Sequence, residues 1–117
     1  MRRWPKRRDI PFNEGNKDLT VSAYDNVTAP KGSTHEETWK VMKNYAFLAG
    51  QYIWTGFDYI GKPTPYPWPA RSSYFGIIDL AGFPKDVYFM YRSEWNNKRV
   101  LHILPHWNWK QGDTVDV

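Results

Sequence analysis

The sequence predicts the α/β class, with helices alternating with short extended segments and a second, β-rich unit beginning near residue 97. Three features of the chain point there. The helical pattern in "STHEETWKVMKNYAFLAG" runs straight into the β-branched and aromatic "QYIWTGFDY". A Pro-rich stretch then separates that segment from a second helical pattern in "PKDVYFMYRSEW". Polarity jumps at 96–99 and the periodicity changes after it, the combination expected at a domain boundary.

Each element follows in order. Residues 1–32 are rich in Pro, Gly, Asn, Asp and Lys and hold no sustained period, so they read as a long loop, with "LTVSAY" at 19–24 a short strand or anchored stretch. Ser33 is placed to cap the first helix, with Glu36 three residues on completing a capping box. Apolar residues at Trp39, Met42, Ala46 and Ala49, widened by Val41, Tyr45 and Leu48, predict a helix over 33–49, with Gly50 offering a stop. A strand over 51–54 follows through a very short turn. The prolines of 63–69 cannot join a central sheet, which makes that stretch a rigid loop leaving the strand's carboxyl end. "FGIIDL" gives a second short apolar segment. Pro84 then suits the first turn of a helix over 84–95, where Val87, Met90, Tyr91 and Trp95 recur at helical spacing. Two β-like runs, 100–104 and 114–117, flank a Gln-Gly-Asp turn. The last run stops in mid-strand, and a lone hairpin is marginal in water, so further strands are expected beyond Val117.

Composition narrows the function classes. Aromatics make up 18% of the 117 residues, more ring than a small core hides, so some rings are expected to face a ligand or other protein surface. There is no Cys, which excludes disulfides and thiolate chemistry and leaves the redox compartment unreadable. No apolar run is long enough to span a bilayer, and "RRWPKRRDIPF" after Met1 lacks the apolar core of a secretory signal. Of the formal charge of +4, five positive charges (Arg2, Arg3, Lys6, Arg7 and Arg8) fall in the first eight positions, leaving the remainder at −1. The basic character is therefore local. It would grip nucleic acid or form a solvated tail, and a nearly neutral body favours the tail.

The three histidines, His35, His102 and His106, show no metal-ligand spacing, and Ser72 and Ser73 sit in no nucleophile elbow. What remains is acid combined with ring. Asp58 lies four residues after Trp54, just past the predicted strand end, and Tyr24 and Asp25 close the loop before the first helix. In parallel α/β architectures, groups at the carboxyl ends of strands converge on the ligand crevice. Rings offer apolar faces to sugar C–H surfaces and carboxylates accept from hydroxyl pairs, so the mixture suits a carbohydrate. Asp58 serves equally well as a turn residue bonding nearby backbone amides.

A family resemblance now joins these observations. "YIWTGFDYIGKPTPYPWPARSSYFGIIDLAGFPKDVYFMYRSEW", with "STHEETWKVMKNYAFLAGQ" before it, closely resembles the end of the catalytic domain of glycoside hydrolase family 2 enzymes, the β-galactosidase-like group common in gut Bacteroidetes. The resemblance extends from "RRWP" through "VSAYDNV" to "PHWNWKQGDTVDV". It implies that residues 1–96 form the C-terminal part of a (β/α)8 barrel, with 33–49 the helix before the eighth strand, 51–54 that strand and 84–95 the closing helix. Residues 97–117 would then open an immunoglobulin-like β-sandwich. The implied activity is retaining exo-β-glycosidic hydrolysis of an oligo- or polysaccharide. No cofactor is expected, and the residue patterns above predict no metal, nucleic-acid or membrane partner; a periplasmic or extracellular location is compatible with the resemblance, while the sequence itself leaves localisation unknown. Its acid/base and nucleophile glutamates are expected upstream of Met1, so the chain alone should be inactive. Trp54 matches the ring that floors the non-reducing sugar subsite. Asp58 falls in the matching "WTGFDY" motif, touching sugar or bracing the loop, and Tyr24 and Asp25 fall where an upstream loop returns to the pocket. Lys62 departs from the pattern, standing where Glu is expected. A non-catalytic carbohydrate-binding module would use the same rings, but such modules are mostly all-β and 33–49 is helical in pattern.

Overall fold

In the computed structural model, which describes residues 24–25, 32–63, 66–104 and 107–114, Thr34 rather than Ser33 starts the first helix. Its hydroxyl accepts from the Glu37 amide at 3.2 Å while the Glu37 carboxylate accepts from the Thr34 amide at 3.0 Å, so the capping box forms one residue later than the sequence suggests. Helix α1 covers His35–Asn44. It stops five residues short of the expected Ala49, with Tyr45 already extended and the Leu48 amide donating to the Tyr45 carbonyl. The physical reason is packing: Phe47 is 81% exposed and Tyr45 and Leu48 are exposed too, so the last predicted turn has no described surface to hold it.

Helix α2 covers Asp86–Trp95, with Lys85 at its N-cap. Pro84 lies before it, not in its first turn, bridged antiparallel to Ile78. The two helices meet through rings. Trp39 of α1 stands edge-on to Tyr91 at 6.2 Å and to Trp95 at 5.7 Å, and Lys43 pairs with Glu94 at 2.9 Å at the exposed rim. A salt bridge so exposed adds little, so the ring cluster carries the contact.

Among the described residues no strand forms, which corrects the expected strand over 51–54. Pairing begins at Thr55 instead. The Thr55 amide donates to Phe75, those of Ile77 and Ile78 donate back to Thr55 and Gly56, and that of Asp58 donates to Ile78, a short parallel register centred on the bridge of Phe57 with Ile78. Two residues later the partner direction reverses, as Gly61 donates to Arg71 and Ser73 to Tyr59 around the antiparallel bridge of Ile60 with Ser72. The 71–78 stretch thus changes direction relative to 55–61 within a few residues, and such a crossover cannot extend into a ladder. The Pro-rich loop behaves as expected where it is described: Tyr66 turns back onto Pro63, Ala70 onto Pro67, and the Trp68–Pro69 bond is cis.

Past α2, residues 100–104 form no strand. The segment is tied instead by His102, whose ring stacks on Phe89 at 3.9 Å and whose Nε2 lies 2.5 Å from Asp86. The expected Gln-Gly-Asp turn does form, with Asp113 donating to the Lys110 carbonyl and Gly112 at φ +96°, a conformation that glycine adopts without steric cost. The basic run Arg2 to Arg8, most of the 19–24 segment, His106 and residues 115–117 lie outside the described residues.

Among the described residues the buried side chains are mostly polar: Thr34, Asp58, Ser72, Ser73, Lys85 and Asp86 accompany Tyr24, Val87 and Tyr91. Large apolar side chains, by contrast, stand exposed along much of 45–60, at Tyr45, Phe47, Tyr52, Trp54, Phe57 and Ile60.

Candidate functional site

Trp54 stands immediately before the pinned segment, joined to Thr55 by a cis peptide bond. Its indole is 73% exposed. One edge is held: Nε1 donates to the Tyr59 hydroxyl at 3.3 Å, and the two rings meet nearly perpendicular with centroids 6.3 Å apart. A wide ring face is left open. Close by in sequence, Trp68 is 80% exposed and carries the Arg71 guanidinium 5.4 Å from its ring centre.

Asp58, four residues after Trp54, is buried. Its Oδ1 accepts from the Lys85 ammonium at 2.8 Å and from the Gly76 amide at 2.8 Å, and the pair is almost fully buried, with 2% of the Asp58 side chain and 9% of the Lys85 side chain exposed. Lys85 also donates to the Tyr74 carbonyl at 3.0 Å. Three segments therefore converge on one carboxylate: 55–61 that bears it, the 74–76 loop, and the cap of α2. The alternative of a brace, left open by the sequence, is the one this geometry favours. Gly76 makes the approach possible, because a Cβ there would overlap the backbone of Phe57 and Asp58.

Asp25 is likewise engaged. Its two carboxylate oxygens accept from the His35 amide at 2.9 Å and the Glu36 amide at 2.7 Å, supplementing the Thr34 cap at the positive end of α1. Tyr24 beside it is buried. Behind them His35 Nδ1 and Gln51 Nε2 both meet the Tyr91 hydroxyl, at 3.0 and 2.9 Å. Burial lowers the His35 pKa below its ordinary value, assisted by Lys85 and opposed by Asp25. Burial raises that of Tyr91, against the hydrogen bond from Gln51.

Of the four sequence-predicted site residues, then, Trp54 presents an open ring, while Asp58 is paired with Lys85, Asp25 caps α1 and Tyr24 is buried. Sequence reading missed Tyr59, Gly76 and Lys85. Tyr59 lay in the quoted "WTGFDY" motif, but nothing local marks a lysine 27 positions from its carboxylate. Among the described residues no three His, Asp or Glu side chains cluster as a metal-ligand set, and no helix is long and apolar enough to cross a membrane.

Comparison with known proteins fits the carbohydrate reading. The chain is 59% identical over 114 residues to the beta-galactosidase BoGH2A of Bacteroides ovatus, an alignment covering 97% of this chain and 13% of that protein. It is 37% identical over 123 residues to a Formosa agariphila protein provisionally named a beta-glucuronidase, covering 94% of this chain and 12% of that one. The chain thus spans about an eighth of the length of these curated relatives. No protein-family model matches it.

Proposed function

We propose, from the likeness to these two relatives, that the chain is a stretch of a glycoside hydrolase family 2 enzyme and supplies one wall of the sugar subsite in a retaining exo-β-glycosidase of β-galactosidase type. The reaction is hydrolysis of an O-glycosidic bond through a covalent glycosyl–enzyme intermediate, worked by two glutamates contributed from upstream polypeptide. In this reading α1 takes the place of the helix before the last barrel strand and α2 that of the helix that closes the barrel. Residues 97–117 lead into a β-sandwich.

The observation that carries the proposal is the indole of Trp54. Its exposed face stands beside a segment whose backbone is bonded on both sides, where an apolar ring stacks on the C–H face of a pyranose and excludes water. The Asp25 and Asp58 carboxylates serve backbone amides and Lys85 in this geometry more readily than sugar hydroxyls, and Tyr24 is buried. A free-standing binding module is less well supported, since two helices and no strand occupy the described residues.

The test is made in the intact polypeptide that carries this chain, with p-nitrophenyl β-D-galactopyranoside and the corresponding glucuronide as substrates. A sugar face covering roughly 100 Å² of indole contributes about 2.5 kcal/mol at 25 cal/mol per Å². Trp54→Ala should therefore lower kcat/KM by about 70-fold while leaving circular dichroism unchanged. Near-wild-type rates in that variant would remove Trp54 from the site. The 117-residue chain alone should hydrolyse neither substrate.

A further inference from the structure

We propose that Tyr59 is a positioning residue for Trp54, fixing the tilt at which the indole meets the non-reducing pyranose ring. This rests on the reading of Trp54 as a sugar wall and adds to it a residue that acts through the indole rather than on the substrate.

An exposed tryptophan side chain ordinarily samples several rotamers, and ordering it on binding costs affinity. Here the indole edge is engaged before any ligand arrives, its N–H donating to the Tyr59 hydroxyl and its ring standing perpendicular to the phenol. The acceptor is itself fixed. Asp58 is bonded through its amide to Ile78 and through its carboxylate to Lys85 and Gly76, the Tyr59 carbonyl accepts from Ser73 at 2.9 Å, and Gly61 donates to Arg71. Ser73 is fully buried. On the donor side, Thr55 exchanges backbone bonds with Phe75 and Ile77. Both rings thus project from backbone held by 71–78, which leaves their side-chain torsions as the remaining freedom, and the hydrogen bond between them restrains it. Phenylalanine at 59 would keep the edge contact but supply no acceptor. The hydroxyl is therefore the part of the residue that does the positioning.

A double-mutant cycle in the intact polypeptide tests this, with galactose as competitive inhibitor of p-nitrophenyl β-D-galactopyranoside hydrolysis. Tyr59→Phe should raise both KM and the galactose inhibition constant about fivefold, the loss expected for one exposed hydrogen bond, with a smaller change in kcat. In a Trp54→Phe background, which has no indole N–H to hold, the same Tyr59→Phe change should have no further effect. An equal loss in both backgrounds, or no loss beside the native Trp54, would overturn the proposal. Trp54→Ala run alongside separates the two levels: if it leaves the inhibition constant unchanged, the sugar-wall reading fails and the positioning role falls with it.

Discussion

Replacing Lys85 by methionine would leave the Asp58 carboxylate sealed in the protein with, among the described residues, the Gly76 amide as its remaining partner. The side chain of Asp58 is 2% exposed, so water cannot replace the lost ammonium. Removing one member of a buried ion pair costs about 3–5 kcal/mol, because the remaining charge keeps its full desolvation penalty. The substitution also takes from the Tyr74 carbonyl the Lys85 donor it has at 3.0 Å, adding to the loss in the same loop. Since the pair joins 55–61, the 74–76 loop and the α2 cap, the damage should be local before it is global. Hydrogen–deuterium exchange of peptides spanning 55–61 and 71–78 reads it directly: protection should fall by a factor between about 100 and several thousand, the equivalent of 3–5 kcal/mol. Adding Asp58→Asn should restore much of the protection, because the amide oxygen still accepts from Gly76 and no charge is stranded. The reasoning is refuted if Lys85→Met changes exchange less than about fivefold, or if the double variant is no better protected than the single one.

Two further expectations follow from the same framework. Gly76→Ala places a methyl group against the backbone of Phe57 and Asp58 and within 2.7 Å of the Ile78 carbonyl, none of which is the flexible end of a side chain; a loss of at least about 3 kcal/mol, or failure to accumulate folded protein, is expected in chemical denaturation, and a midpoint equal to wild type would refute the close crossing. His35, whose folded-state pKa is depressed by burial, resists a proton that the unfolded chain accepts below about 6.5, so its contribution to stability is present above that pH and lost as pH falls towards the depressed value. His35→Gln should flatten the decline in stability between pH 7.5 and 5.5, and an unchanged slope would show that His35 is not the group responsible.

The part of the fold legible in the sequence is the part made by neighbours. α1 was visible because Trp39 and Met42 recur at helical spacing behind an acidic first turn, and the cap was displaced by only one residue, since Ser33 and Thr34 are chemically alike and each has a glutamate three places on. α2 was visible for the same reason, its start misplaced by two residues because Pro84 is as acceptable in a bridge as in a first helical turn. The far end of α1 was overread, since periodicity at Tyr45 and Leu48 records what a helix could bury and not whether a surface is there to bury it. Trp54 stands out in the sequence from its place after an apolar run within a specific motif, and in the structure its ring is exposed.

What the chain determined by itself, then, is its likeness to glycoside hydrolases and its two helices, which depend on interactions within a few residues or on long uninterrupted identity. Tertiary structure alone decided that Asp58 faces Lys85, that Asp25 caps α1 and that Gly76 lies against the backbone of Phe57. Those partners are separated by 10 to 27 positions, and nothing in local spacing selects one distant lysine or amide from another. Only the close approach of separate backbone segments, in surroundings where an unpaired charge would be costly, makes the choice.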